Sequence, residues 1–272
     1  MISMAIAAVN GITIGYDDQG DPEGVPLVLV HGHPFNRTMW APQAVRFAAS
    51  GYRVVTADLR GYGESQVVPG ITPLEIFARD TAALMDHLGI PRAVIGGLSM
   101  GGQIVMEFYR LFPQRAAGLV LADTFPRAET EEGKAVRAAM ADRLLSEGMA
   151  GYADEVIEKM VAPYNVRALP GVAQHVLRMM RTTPPAGAAA ALRGRAERPD
   201  YCELLGRVAV PALVVVGADD EFTPVSDAED MHDRLPDSTL AVVEGAAHMP
   251  NLERPEEFDT ALAAFLNRLR ST

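Results

Sequence analysis

The sequence predicts an α/β fold: a mostly parallel central sheet with helices on both faces and a helical cap insertion. Three observations carry this. Short, continuous apolar runs recur at residues 27–30, 93–95, 116–121 and 212–216. Runs of that length suit strands buried on both faces of a parallel sheet. Helix-like stretches separate them, and strands that alternate with helices imply a sheet covered on both sides. The alternation lapses once, over about 125–199, where the chain is rich in Ala, Met, Arg and Glu and has no strand-like run. The predicted organisation is therefore a core of residues 1–124 and 200–272 that carries a helical cap at 125–199.

In chain order, residues 5–16 read as two strands around Asn10-Gly11, the strongest short hairpin signal. Residues 17–26 read as a polar loop bearing Gly and Pro, and the strand at 27–30 ends in His31-Gly32-His33-Pro34. A helix is expected over 41–49, stopped by Ser50-Gly51, then a strand over 53–57 and the loop Asp58-Leu59-Arg60-Gly61-Tyr62-Gly63-Glu64-Ser65. Thr72-Pro73-Leu74-Glu75 opens the next helix, with Thr72 as N-cap, Pro73 at the first position and Glu75 three residues on. That helix should end at Gly89. After the 93–95 run and a glycine-rich turn comes a helix over 103–112, and then the strand at 116–121. Breaks inside the helical segment fall at Gly148, Pro163, Pro170-Gly171 and Thr183-Pro184-Pro185. Beyond it come a strand at 212–216, a helix over 225–235, a last strand at 240–243 and an amphipathic closing helix over 256–270.

Apolar content of 49% and charged content of 22% are those of a globular enzyme with a sizeable core. A net charge of −11 argues against a nucleic-acid partner and against an anionic membrane surface. Cys202 is the single cysteine, so no intramolecular disulfide and no paired-cysteine metal site can form, and a buried structural thiol is expected there. Residues 1–8 lack a basic region and a cleavage site, and no run approaches the ~20 apolar residues of a membrane span. A cytoplasmic location is the expectation.

Ligands of such sheets bind beyond the carboxyl ends of the strands. The most informative stretch there is Gly96-Gly97-Leu98-Ser99-Met100-Gly101-Gly102, which reads as strand, tight turn, helix. Gly97 and Gly101 leave no side chains to collide as the chain reverses around Ser99. Such a turn lifts the Ser99 hydroxyl above the sheet edge. It also aims the Met100 N–H and the positive end of the helix at the same place. A G-x-S-x-G pattern alone is a frequent coincidence; its strand and helix flanks give it weight.

A serine hydroxyl is a weak nucleophile until a base takes its proton, and a carboxylate usually orients that base. His248 lies in the loop after the last strand, in Gly245-Ala246-Ala247-His248-Met249-Pro250. The loop after the 212–216 strand offers Asp219, Asp220 and Glu221 as acids, and neighbouring residues point in different directions. The residues alone leave Asp219 and Asp220 open. The chain order serine, acid, histidine is that of the nucleophile-elbow fold. A second oxyanion donor, beside the Met100 N–H, should come from the loop after the 27–30 strand, and the His33 N–H is the candidate. His87, His175 and His232 fall in helix patterns and are expected to be solvated or packed, while His31 is expected to hold its loop by hydrogen bonding.

These residues resemble the α/β-hydrolase fold family over nearly the whole chain. They are most like bacterial serine esterases, lactonases and cofactor-free haloperoxidase-like perhydrolases. The matching motifs are His31-Gly32-His33-Pro34, the 58–65 loop, Gly97 through Gly102, Gly217 through Pro224, and Gly245 through Glu253. The resemblance implies Ser99 as nucleophile, His248 as base and Asp220, the third residue after Gly217, as acid. It implies His33 and Met100 as oxyanion donors, and no metal or organic cofactor. His33 stands where an aromatic residue is common, so its side chain is expected to reach the pocket. Fold relatives that use an aspartate nucleophile are excluded by Ser99.

The expected activity is hydrolysis of a carboxylic ester or lactone of a small, largely apolar substrate through an acyl-enzyme on Ser99. Peracid formation is a compatible side activity. The alternatives are a carbon–carbon bond hydrolase acting on a diketone, and a non-catalytic ligand receptor on the same fold. Met140, Met149, Met160, Met179 and Met180 are candidates to line an apolar pocket under the cap.

Overall fold

The structure, a computed structural model, describes residues 4–270. Strands β1 (Met4–Val9) and β2 (Ile12–Gly20) form an antiparallel hairpin with Val9 opposite Ile12. Asn10 (φ +46°) and Gly11 (φ +77°) both take the left-handed conformation that a two-residue hairpin turn requires. β2 runs on to Gly20, beyond the expected loop start at Asp17, because it pairs with β4 (Tyr52–Ala57) from Tyr16↔Ala57 to Gly20↔Arg53. An Arg53–Asp18 ion pair of 2.7 Å crosses the two strands. The loop that remains before β3 (Val25–Val30) is short.

Between β3 and β4 lies α1 (Ala41–Ala49), with the expected bounds. α2 (Leu74–His87) follows β4. Its start differs from the expected capping box: Pro73 occupies the cap position, and the buried Thr72 makes no cap bond. Its N–H instead donates 2.9 Å to Ala190 O, in the helical insertion. A tertiary contact has displaced the local signal.

β5 (Ala93–Leu98), α3 (Met100–Leu111) and β6 (Ala116–Ala122) come next. Then follow α4 (Glu131–Glu147), α5 (Ala150–Met160), α6 (Pro163–Ala168), α7 (Pro170–Thr182), α8 (Pro185–Ala196) and a short α9 (Cys202–Leu205). β7 (Ala212–Gly217), α10 (Val225–Arg234), β8 (Ser238–Val243), α11 (Pro250–Glu253) and α12 (Pro255–Arg270) complete the chain. Among the described residues the sheet has eight strands in the order β1-β2-β4-β3-β5-β6-β7-β8, parallel from β4 to β8.

The two faces of the sheet are separated by the period of two along each strand. Val28, Val30, Ile95, Leu119, Leu121 and Val214 pack on one side with Phe77 of α2, Ile104 and Phe108 of α3 and Met231 of α10. Leu27, Leu29, Val94, Val120 and Val215 pack on the other with Phe47 of α1 and Phe258, Leu262 and Phe265 of α12. This is the buried parallel sheet that the apolar runs imply.

The insertion α4–α8 has a small apolar centre of its own, which includes Leu144, Met149 and Leu192. α5 and α7 pack into the core cluster, α8 also docks on the core, and two glycines set how closely α8 approaches. A Cβ on Gly187 would lie 1.9 Å from Gly61 O, and one on Gly194 would lie 1.8 Å from Thr72 O. Seven residues are two helical turns, so both glycines lie on one face of α8, and any side chain there would push the helix off the core. Cys202 is half-buried, with its thiol pushed up to about 11 by burial and by Asp200. No described helix is long and apolar enough to cross a membrane.

Candidate active site

Ser99 sits between β5 and α3 with φ +59°, ψ −119°, a conformation that is strained for a residue bearing a side chain. The turn closes because Gly97 and Gly101 touch: a Cβ on Gly97 would lie 2.3 Å from Gly101 C, and one on Gly101 would lie 2.3 Å from Val30 O. Three bonds hold it. Ser99 N donates to Ala122 O (2.9 Å), Thr124 Oγ1 donates to Ser99 O (2.8 Å), and Gln103 N donates to the same carbonyl (3.2 Å). α3 starts at Met100, three residues before the expected start.

His248 is buried and its Nδ1 lies 2.7 Å from Asp220 Oδ2. Thr223 Oγ1 donates to the same oxygen, and Asp220 Oδ1 accepts the N–H groups of Phe222 (2.8 Å) and Thr223 (3.2 Å). Burial works to raise the Asp220 carboxyl. The charge and hydrogen bond of His248, with the Thr223 and Phe222 bonds, outweigh it and hold the group below its ordinary value. The neighbouring Asp219 faces elsewhere and accepts from the Tyr164 hydroxyl of α6. The two adjacent acids are thus separated by the turn between them.

The loop that bears His248 is fastened by buried Glu253, which accepts from Ala247 N (2.9 Å), Ala162 N (2.9 Å) and Asn165 Nδ2 (2.7 Å). The loop after β3 is fastened by His31. Its Nδ1 donates to Gly32 O (2.8 Å) and its Nε2 accepts from Leu59 N (2.9 Å), the loop-holding role expected of it. Burial keeps this ring neutral by lowering its pKa. The backbone N–H groups of His33 and Met100 have no hydrogen-bond acceptor among the described residues.

Sequence reading missed Asp123, at the end of β6 in a left-handed conformation (φ +44°). Its Oδ1 accepts from Gly217 N at 2.9 Å. Burial, then the Asp220 charge, raise its carboxyl well above the usual range, so it stands neutral beside the charged acid. Its place past a strand's carboxyl end was the available signal. Asp123, Asp220 and His248 present atoms within 4.8 Å of one another, a spacing a metal ion could use. The hydrogen bonds above already occupy both oxygens of Asp220 and the Nδ1 of His248.

Ser99, His33 and His248 line one cavity of about 140 Å³, with Phe125, Arg137, Tyr152, Met160, Leu192, Arg195, Phe222 and Thr223. The His33 side chain reaches it, as expected. Of the five methionines considered, Met160 lines it; Met149, Met179 and Met180 are buried in the apolar clusters and Met140 packs against one. The wall is not largely apolar: two arginines, a tyrosine and two histidines stand in it.

The description of the alpha/beta hydrolase fold family matches residues 25–255. The chain belongs to this family. It is similar to a 3-oxoadipate enol-lactonase of Acinetobacter baylyi, with 29% identity over 257 residues covering 94% of each chain. Among solved structures it is similar to a thermophilic esterase from Thermogutta terrifontis with malate bound. The identity is 38%, the TM-score 0.94, and the match covers 98% of this chain and 99% of that one. It is also similar to the enol-lactonase of Burkholderia xenovorans, at 27% identity and TM-score 0.90, covering 97% and 100%. The family and these relatives support a hydrolase of the esterase and lactonase group.

Proposed function

We propose that this α/β hydrolase cleaves a carboxylic ester or lactone through an acyl-enzyme on Ser99. The observation that carries the reading is the buried Asp220–His248 pair, 2.7 Å apart, whose imidazole opens into the same cavity as the strained Ser99 turn. His248 takes the Ser99 proton as the hydroxyl attacks the carbonyl carbon. Asp220 fixes the ring with its proton on Nδ1 and stabilises the imidazolium that forms. The free His33 and Met100 N–H groups receive the oxyanion, and the positive end of α3 adds to them. His248 then protonates the leaving alcohol. Water, deprotonated by the same histidine, releases the acid and restores Ser99. With hydrogen peroxide in place of water the same acyl-enzyme yields a peracid.

Residues 125–199 act in this reading as a cap that shapes the substrate pocket, since Arg137, Tyr152, Met160, Leu192 and Arg195 all come from it. The test is steady-state hydrolysis of short and medium p-nitrophenyl esters by wild type and Ser99→Ala. The variant is expected to lose turnover by about four orders of magnitude or more. Turnover retained in the variant would overturn the reading.

A further inference from the structure

The chemistry proposed above leaves part of the cavity wall without a role. Arg195, on α8, is 9% exposed and lines the cavity. Its Nε donates to Gln103 Oε1 at 2.7 Å, and Gln103 lies one turn into α3 from Ser99. Its two terminal nitrogens have no acceptor, and it has no ion pair, among the described residues. Arg137 ties its Nε to Glu129, and Glu129 also receives Arg198 Nη1 at 3.0 Å. Two guanidiniums therefore share one carboxylate and the third, that of Arg195, has none, in a chain whose net charge is −11. Burial, and then Arg137 and Arg198, disfavour the Arg195 charge and lower its pKa well below the ordinary value. A guanidinium nevertheless keeps its proton under ordinary conditions, so the positive potential stays in the wall.

His33 contributes a third donor. Its Nδ1 lies 2.8 Å from the Tyr62 hydroxyl. Burial raises the Tyr62 pKa, so that hydroxyl keeps its proton, and it has no other acceptor among the described residues. It therefore donates to Nδ1. Burial, then Arg195 and Arg137, lower the His33 pKa well below its usual value, so the ring is neutral and its one proton sits on Nε2. That nitrogen is buried without a partner. An unpaired buried donor is costly unless a ligand supplies the acceptor. The unused groups are thus two guanidinium forks and one imidazole N–H, all of them donors. A planar anion with two acceptor oxygens is their complement.

We infer that the substrate carries a carboxylate, seated on Arg195 and Arg137 with the His33 Nε2–H beside it, in the cavity that holds the scissile ester. This rests on the ester and lactone reading above and narrows its substrate class. The cavity volume of about 140 Å³ sets the size of the part held there. An engineered cavity of similar volume holds benzene, roughly six heavy atoms. A short acyl chain or lactone ring that ends in a carboxylate fits that allowance.

The experiment compares kcat/KM for monomethyl glutarate, which carries its anion on the acyl side, with 4-acetoxybutyrate, which carries it on the alcohol side, and with neutral methyl butyrate. Wild type is expected to favour one of the anionic esters over the neutral one on the order of 100-fold, the scale of a charge-assisted hydrogen-bond pair. The arm that responds says which side of the ester faces Arg195. Arg195→Gln is expected to cut the anionic-to-neutral ratio by about the same factor. Arg193→Gln, on the same helix but paired with Asp142 at the surface, should leave that ratio where it is. Calorimetry of glutarate binding to Ser99→Ala reads the subsite without turnover. Binding that Arg195→Gln abolishes supports the inference even if no ester tested is a substrate, so failure of the hydrolase reading is distinguishable from failure of this one. A preference for the neutral ester would overturn it. So would an equal fall on all three esters in Arg195→Gln, or inhibition by inorganic phosphate with no response to glutarate.

Discussion

The loops at the carboxyl ends of the strands and the helical insertion build the same cavity by different means. On the core side each group is held by short-range constraints. The glycine contact fixes Ser99, three hydrogen bonds fix the Asp220 carboxylate, and Glu253 fastens the His248 loop. On the insertion side the groups come from three separate helices: Arg137 on α4, Tyr152 on α5 and Arg195 on α8. They meet through the packing of these helices, and the close approach of α8 at Gly187 and Gly194 is part of it. The lesson is that the groups proposed to break the bond are placed by local constraints, whereas the insertion's cavity groups are placed by how its helices pack.

This contrast can be broken most sharply on the core side. Asp220→Asn is expected to lower kcat by about 10⁴-fold by upsetting the His248 tautomer, while Asp219→Asn, whose side chain meets Tyr164, should stay within about tenfold of wild type. Steady-state kinetics of the two variants decide it, and equal effects would remove the distinction drawn between the adjacent acids. On the insertion side, Gly194→Ala places a methyl group against Thr72 O and is expected to destabilise the fold by about 1–3 kcal/mol, read from the urea midpoint. It should also shift substrate selectivity more than Ser99 labelling by an active-site phosphonate. A variant with unchanged midpoint would show that α8 is free to move.

The smallest expected effect is on pH dependence. His33 is neutral in the fold because burial, then Arg195 and Arg137, depress its pKa from 6.5. The unfolded chain therefore binds more protons as the pH falls. Stability is full above pH 6.5 and is lost below it, by up to about 1.4 kcal/mol per pH unit from this residue. His33→Gln should flatten the stability profile between pH 6.5 and 5 by about that slope. An unchanged slope would place the protonation elsewhere.

Much of this was legible in the sequence, and the reasons differ by region. Hairpin, elbow and loop motifs act over a few residues: Asn10-Gly11 needs two positive φ angles, and Gly97 and Gly101 need to touch. Such demands leave a residue-level trace. The choice between Asp219 and Asp220 was open from spacing alone, because it depends on which way a turn points. The expected box at Thr72 is not formed: Pro73 takes the cap position, and the Thr72 N–H that Glu75 would receive goes to Ala190, more than a hundred residues away. Arg137, Tyr152 and Arg195 left no trace at all. Helical spacing does not say which face of an insertion will meet a distant loop, and a methionine-rich helix reads the same whether it lines a pocket or fills a core, as Met179 and Met180 do. Asp123 lay at a strand end and was overlooked because its neutral, hydrogen-bonded state depends on burial and on the charge of Asp220.

The central claim is a covalent intermediate on Ser99. Its most direct test is rapid quench of wild-type protein with an excess of a slowly deacylating p-nitrophenyl ester, followed by intact mass measurement and peptide mapping. A single acyl adduct on the peptide that contains Ser99, absent in Ser99→Ala, is the predicted result. Continued ester turnover with no adduct, or an adduct mapped to another residue, would contradict it.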